Sequence, residues 1–314
     1  MTYNTENIWN QLLKLKNLPF GSISSIYDPM LELEVIDIIS KVSAERCLID
    51  TTVQEKFLNR YYDWIQETKL NTFTGLDNFK VLAFSNGTTE SFDKFYLKNK
   101  NRRIRYFRGE YMYHLASASS YFDQAAYIDD EPLAENDVVI FSFPFADTGN
   151  EHPEMKDVLN VCEELGIPVM IDCCYFGVCK NLHFDFSYKC IYGITFSLSK
   201  IFSVQHLRIG MRLTREDDDD PLLVYNRNKY INRLGAAVGL ELLNRYSADY
   251  NQHTYGSTQN AFCEQLSVSA SNCVFFANSP DKFLEYNRGT TNNRLCFSKY
   301  LKSRTLPKVR HDSK

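Results

Sequence analysis

One segment near the middle of the chain constrains the fold more than any other. Val138-Val139-Ile140-Phe141 is an apolar run of strand length, followed by a turn from Pro144 to Asn150. Met155, Val158, Leu159, Cys162 and Leu165 then recur at helical spacing, and Gly166 supplies a stop. Pro168-Val169-Met170-Ile171-Asp172 is a second strand, and it ends in a carboxylate. Strand, helix and strand in this order form a βαβ unit, which requires parallel pairing and a right-handed crossover. In parallel α/β sheets, ligands bind beyond the carboxyl ends of the strands. The fold class is therefore α/β, and chemistry is expected at the end occupied by Asp172.

The same alternation extends in both directions. Val81-Leu82-Ala83-Phe84 reads as a strand, and Ser85-Asn86-Gly87-Thr88-Thr89-Glu90 leads from it into a helix carrying Phe92, Phe95 and Tyr96. A strand, a glycine turn and a helix start aim free backbone N–H groups and a positive dipole end at whatever lies above the strand. An ordinary N-cap, with Thr88 or Thr89 capping and Glu90 in the first turn, accounts for the same residues. Ile104 to Phe107 is another strand, followed by Gly109-Glu110-Tyr111, where an aromatic ring at a strand end can stack on a planar ligand or simply pack.

Towards the N-terminus, Ile8, Leu12, Leu13 and Leu15 predict a short helix ended by Pro19, and residues 20–29 an extended arm. Leu31–Ser43 and Gln54–Thr68 predict two further helices. Beyond the sheet, Tyr225–Tyr246 reads as one long helix with Ile231, Leu234, Val238 and Leu242 inward. A strand is expected at Cys273–Phe276. A helix capped by Ser279 with Pro280 first, turning Phe283 and Leu284 inward, should follow. Residues 293–297 form the last strand, and the acidic run Asp217–Asp220 reads as a solvated loop. The tail from Lys308 should fray.

Phe196-Ser197-Leu198-Ser199-Lys200 follows the buried-strand run Gly193–Phe196, with Arg208 close behind. A lysine at the end of a buried strand, near another cation, is a candidate for a depressed pKa, and a neutral amine can form a Schiff base with a carbonyl. Ser197 and Arg208 suit the anion of a phosphorylated carbonyl cofactor. A lysine snorkelling from a strand end is the plainer account.

With 314 residues, the chain is long enough for one large domain and a smaller one. Its net charge of −4 gives no electrostatic footprint for nucleic acid or an anionic membrane. No stretch approaches the length of a membrane span. The nine cysteines are scattered, as expected of thiols in a reducing cytoplasm. Cys173, Cys174 and Cys179 have no CxxC spacing and no second ligand cluster, so no metal is expected.

Taken in order, Asn86-Gly87-Thr88-Thr89, Asp172-Cys173-Cys174-Tyr175 and Ser197-Leu198-Ser199-Lys200 with Arg208 resemble the class I/II aminotransferases, the fold type I enzymes that use pyridoxal 5'-phosphate. The resemblance is firm over residues 80–213 and looser to residue 300. It implies a large domain with a mostly parallel sheet flanked by helices (51–245). It also implies a smaller α+β domain, formed by the C-terminal segment (246–314) with the N-terminal arm (1–50). It further implies a Schiff base at Lys200, Asp172 on the pyridinium nitrogen and Tyr175 on the ring oxygen. Gly87, Thr88, Ser197, Ser199 and Arg208 would hold the phosphate, with Tyr111 stacked on the ring and Arg294 binding the substrate's α-carboxylate. Amino acid and 2-oxo acid substrates and a homodimer go with that reading, and no nucleic acid or membrane partner does.

There are departures. Where the family reads Asn-Pro-x-Asn-Pro-Thr-Gly, this chain has Phe143-Pro144-Phe145-Ala146-Asp147-Thr148-Gly149, so Ala146 replaces an asparagine that contacts the ring oxygen. The run after the lysine, Ile201 to His206, is also altered, and Tyr27 is the candidate for a tyrosine lent to a neighbouring subunit. A pyridoxal-phosphate lyase or decarboxylase and a non-catalytic binding module remain alternatives. Ser197-x-x-Lys200 also fits the serine nucleophile signature of penicillin-binding enzymes, but its companions Ser-Asp-Asn and Lys-Thr-Gly do not occur.

Overall fold

The computed structural model describes residues 10, 13–21, 24–218 and 220–307. Helices α1 (Pro29–Lys41), α2 (Ala44–Leu48) and α3 (Val53–Gln66) come first. Asp28 caps α1, accepting from the backbone N–H groups of Met30 and Leu31. A short strand β1 (Thr72–Thr74) precedes β2 (Val81–Ser85), α4 (Thr88–Lys98), β3 (Arg103–Tyr106), α5 (Met112–Tyr121) and β4 (Ala125–Tyr127). Then come β5 (Asp137–Ser142), α6 (Met155–Leu165), β6 (Val169–Asp172), β7 (His183–Asp185), β8 (Ile191–Ser197) and β9 (Gly210–Thr214). Helices α7 (Pro221–Arg227), α8 (Arg233–Arg245) and α9 (Tyr250–Leu266) lead to the small strands β10 (Ser269–Ala270), β11 (Phe276–Ser279) and β12 (Asn293–Cys296).

The central sheet has the order β2-β9-β8-β6-β5-β3-β4, while β10, β11 and β12 form a small antiparallel sheet. The predicted βαβ unit is present, with β5 parallel to β6 in the register Ser142↔Asp172. Both strands are buried along their whole length, which explains why they read as continuous apolar runs rather than alternating ones. Helix α6 buries Met155, Val158, Leu159 and Cys162 and stops at Gly166, whose φ of 64° is the left-handed conformation glycine adopts freely.

One strand runs against the others and sets up the site. β9 is antiparallel to both β2 and β8, pairing Gly210 with Ser85 on one side and with Ser197 on the other. β2 and β8 are therefore parallel, and their carboxyl ends meet the start of β9. The segments after Ser85, after Ser197 and before Gly210 are brought to one sheet edge, beside Asp172 at the end of β6.

Residues 20–27 pack against the segment around β12 and the loop after β8. Cys296 N donates to Phe20 O, Tyr27 N to Ser298 O and Ile26 N to Lys200 O, while the buried Phe20 ring meets Phe297 edge-on. Among the described residues, no helix is long and apolar enough to cross a membrane.

Several sequence expectations change. The long helix at 225–246 is two helices, α7 and α8, broken where Lys229 turns left-handed at φ 59° and Asn232 caps Gly235 N. Leu234 is consequently 37% exposed rather than inward. The acidic run is not only a solvated loop: buried Asp220 caps α7 and pairs with the fully buried Arg212, and Asp218 pairs with Lys98. The strand expected at 273–276 begins at Phe276, because Cys273 N and Val274 N bond to Gly149 O and Val178 O instead of a sheet neighbour. Ser279 Oγ does accept from Lys282 N, but Phe283 is left-handed at φ 60° and only one 3-10 turn follows, leaving Leu284 exposed. Leu13 and Leu15 lie in a helical turn, whereas Ile8, Leu12 and the tail from Lys308 fall outside the described residues.

Candidate active site

A cavity opens at that sheet edge. It is lined by Thr88, Thr89, Tyr111, Cys174, Tyr175, Ser197, Ser199, Lys200, Gln205 and Arg208. Gly87 adjoins it through Arg208, and Asp172 and Arg294 lie near enough for their charges to act on its groups.

On one side sits a cradle for an anion. Helix α4 starts at Gly87, and no side chain caps it; the threonine caps allowed by the sequence do not form. Its first N–H groups and positive dipole end face an arginine instead of a capping oxygen. Arg208 Nη2 donates to Thr89 Oγ1 at 3.1 Å, and a Cβ placed on Gly87 would stand 2.9 Å from Arg208 Cζ. Arg208 itself is left-handed at φ 55°, a conformation that costs a non-glycine residue about 1–2 kcal/mol. The Ser197 and Ser199 hydroxyls, both buried, bond to each other at 2.9 Å on the facing loop. Two hydroxyls, a helix N-terminus and a guanidinium match the oxygens of a phosphate.

Opposite the cradle lies a buried acid. Asp172 is 1% exposed; Oδ1 accepts from Cys174 N at 3.0 Å, and Oδ2 has no partner among the described residues. Burial, then the neighbouring Glu110 charge, push its carboxyl up to about 7, with Lys200 pulling the other way. An orphaned carboxylate oxygen in such a place calls for a donor or a cation. Lys200, half-buried by surface area, lines the same cavity, near enough to Asp172 and Arg208 for their charges to act on one another. Burial holds its amine below the usual lysine range, helped by Arg208 and Arg294 and opposed by Cys174 and Cys296.

Aromatic groups close the space. Tyr111 keeps 37% of its surface exposed at the cavity, and burial of its hydroxyl pushes its pKa up to about 12. Tyr175 is buried, with its ring edge-on to Phe276 at 5.2 Å and its hydroxyl held well above the ordinary tyrosine range by burial. Arg294 lies 4.5 Å over the same Phe276 ring and donates to Ala146 O.

The sequence assigned no role to several neighbours. Glu110 is fully buried, accepts from Ser142 N, Ser142 Oγ and Tyr111 N, and is raised to about 7 by burial. His114 bonds Tyr96 through Nδ1, and burial lowers it to about 3, so it is neutral. Arg288 donates to Glu110 O, and Gln205 lines the cavity. The one available signal was a charged residue immediately before Tyr111, which caps α5 rather than ending a strand, since β3 stops at Tyr106.

No protein-family model and no curated protein sequence matches the chain. Solved structures do. An aminotransferase from Staphylococcus aureus superposes with a TM-score of 0.67 at 11% identity, covering 92% of both chains. The histidinol-phosphate aminotransferase from Clostridium acetobutylicum gives 0.59 at 16%, over 91% of this chain and 98% of that one. A PLP-bound C-S lyase from Staphylococcus hominis gives 0.58 at 12%, over 90% and 85%. At these identities the likeness is one of architecture: the chain has the fold of these aminotransferases and of this lyase.

Proposed function

We propose that the chain is a pyridoxal-phosphate-dependent aminotransferase that moves an amino group from an amino acid to a 2-oxo acid. The observation that carries this reading is one cavity lined by Lys200 and by the Arg208, Ser197 and Ser199 cradle, with the buried Asp172 carboxylate, whose Oδ2 has no partner among the described residues, close enough for the lysine's charge to act on it. The residues present fit the cofactor: Asp172 Oδ2 lacks a donor, and the glycine at 87 leaves room for the Arg208 guanidinium.

Bound pyridoxal phosphate supplies an aldehyde that condenses with amines and a ring that delocalises charge released at the substrate's Cα. The chain's own residues do the rest. Arg208, Thr88, Ser197, Ser199 and the backbone at Gly87 bind the phosphate. Asp172 holds a proton at the ring nitrogen, and the buried carboxylate and the pyridinium then stabilise each other's charge. Tyr111 covers a ring face. Tyr175 would donate a hydrogen bond to the ring oxygen, and burial keeps its hydroxyl protonated at neutral pH. The Lys200 amine, drawn below its ordinary range by burial, would be the base that takes the proton from the substrate's Cα and the acid that later releases it. Arg294 orients the α-carboxylate. A homodimer in the cytoplasm, serving amino acid metabolism, completes the proposal.

A lyase or decarboxylase on the same fold is the second reading. It is favoured by Ala146, which offers a backbone carbonyl to Arg294 and no side-chain donor to a ring oxygen. Purified protein loaded with the cofactor and screened against amino acids separates the two. Conversion to the pyridoxamine spectrum, lost in Lys200→Ala, supports transamination. Release of sulfide, pyruvate or carbon dioxide without that conversion supports the alternative. Absence of any cofactor band in the wild-type protein would refute both.

A further inference from the structure

A carboxylate lies buried behind the site without lining it. Glu110, in the loop between β3 and α5, is fully buried and accepts three hydrogen bonds. Ser142 N donates to one oxygen at 2.8 Å; Ser142 Oγ at 2.7 Å and Tyr111 N at 3.1 Å donate to the other. Ser142 Oγ itself accepts from Ala146 N at 2.8 Å, so its own proton is free for the acid. Each of these contacts brings a donor to the carboxylate, an arrangement that suits the ionised form. Arg288, the cation whose charge acts on Glu110, is held at the backbone, where its Nη2 donates to Glu110 O at 3.0 Å.

Both ends of this clamp reach the cavity. Tyr111, whose N–H the acid holds, is the N-cap residue of α5 and lines the cavity. Ser142 ends β5 as the register partner of Asp172, and Phe143 N donates to Asp172 O at 2.9 Å. The Glu110 charge acts on the Asp172 carboxyl across that pairing. A helix start needs only a small polar residue, and serine or threonine would serve it without a buried charge. Burying an acid is costly, and here it raises the carboxyl to about 7. A charge kept at that cost beside a cavity is expected to serve more than the local turn.

We infer that Glu110 is a positioning residue of the proposed site: it locks Tyr111 to the end of β5 and sets a second negative charge behind Asp172, so that the site holds a protonated ring nitrogen more tightly than a neutral ring. Asp172 meets the nitrogen in this reading; Glu110 acts through Asp172 and Tyr111. The inference rests on the pyridoxal-phosphate reading above, and its test separates the two. Wild-type, Glu110→Gln and Glu110→Asp apoproteins are titrated at pH 8 with pyridoxal phosphate and with its carbocyclic analogue, in which C–H replaces the ring nitrogen. Both ligands carry the same phosphate, aldehyde and ring area. A loosened fold or a shifted Tyr111 weakens them together, whereas a change of charge at the nitrogen separates them. Wild type should prefer pyridoxal phosphate. Glu110→Gln, close in shape but uncharged, should reduce that preference by about 3- to 30-fold, the scale of one charge removed from a partly screened buried site. Glu110→Asp keeps the charge but is too short to span Ser142 and Tyr111. It should retain the preference and lose about 2- to 10-fold in affinity for both ligands, the scale of one lost hydrogen bond.

A Glu110→Gln variant that circular dichroism shows to be folded and that keeps the wild-type preference would overturn the inference and leave cofactor binding intact. So would a Glu110→Asp variant that binds both ligands as wild type does, and this second variant decides the matter if the first does not fold. Equal binding of the two ligands by wild type would overturn it as well, because no charge would then be felt at the nitrogen. Wild type that binds neither ligand would refute the pyridoxal-phosphate reading itself, and the inference with it.

Discussion

Replacing Gly87 with alanine isolates the anion cradle from the rest of the site. The backbone there has φ 77° and ψ −178°, a region that essentially only glycine visits, so a side chain costs about 1–3 kcal/mol before it touches anything. The new Cβ would also run into the Arg208 guanidinium, standing 2.9 Å from its Cζ. Arg208 is exposed and its side chain is long, so it can withdraw, and the fold should survive. Withdrawal breaks its bond to Thr89 and removes one charge-assisted contact to a phosphate, worth about 1.5–3 kcal/mol. That corresponds to about a 10- to 150-fold rise in Kd. The assay titrates wild-type and Gly87→Ala apoprotein with pyridoxal phosphate and with pyridoxal, which lacks the phosphate, following cofactor absorbance. The preference for the phosphorylated form should shrink by that factor, while affinity for pyridoxal changes little. Equal losses for both ligands, or an unchanged preference in a variant that circular dichroism shows to be folded, would mean that Arg208 and the α4 N-terminus do not hold the phosphate.

Asp172 makes apoprotein stability depend on pH in an unusual direction. Its carboxyl is raised by burial and Glu110 from 3.8 to about 7, so between those values the folded chain keeps a proton that the unfolded chain has released, and stability falls as pH rises. The Asp172 share is on the order of 4 kcal/mol at most, and Glu110, raised from 4.5 to about 7 by burial, adds a loss of the same sign. Denaturant melts at pH 5 and pH 8 should show both in wild type and a smaller but not abolished loss in Asp172→Asn; an unchanged loss in that variant would contradict the assignment. Asp137→Ala should destabilise by about 3–5 kcal/mol, since it strands the fully buried Arg105, with which Asp137 pairs at 2.6 Å; a loss under about 1 kcal/mol in urea unfolding would count against it.

How much of this was legible beforehand depended on whether a residue's partner lay near it in sequence or periodicity. The βαβ unit could be read because β5 and β6 are buried on both faces and α6 has a single apolar stripe, all local consequences of tertiary position. The strand ends bearing Asp172 and Lys200 followed from that pattern. The small C-terminal elements misread for the opposite reason. Ser279-Pro280 carries a genuine cap signal, yet the chain turns at Phe283 because Asn293 Nδ2 bonds Lys282 O across the loop, and strand β12 claims the space a helix would need. The break between α7 and α8 serves a distant strand as well: buried Asn226 donates to Phe84 O and accepts from Phe84 N, a bridge spanning 142 residues. No periodicity announces it.

The site divides along the same line. Gly87 is far in sequence from Ser197 and Arg208, and what joins them is the antiparallel placement of β9 between β2 and β8, a topological fact the apolar runs do not encode. Glu110 and Arg288 were missed because their importance lies in each other's company: 178 residues separate them, and Arg288 reaches Glu110 only through a backbone carbonyl. A charged residue beside a tyrosine is unremarkable until Ser142, the register partner of Asp172, is found donating to it. Glu110, in the loop after β3, thus sits against the end of β5, whose register partner on β6 is Asp172, and its charge acts on that carboxyl. Burial raises both carboxyls, and the Glu110 charge raises Asp172 further, so a cation at the ring nitrogen would favour the ionised form of Asp172. Cofactor binding should therefore reduce the pH dependence that Asp172 imposes on the empty protein, tying the stability of this sheet edge to occupation of the site.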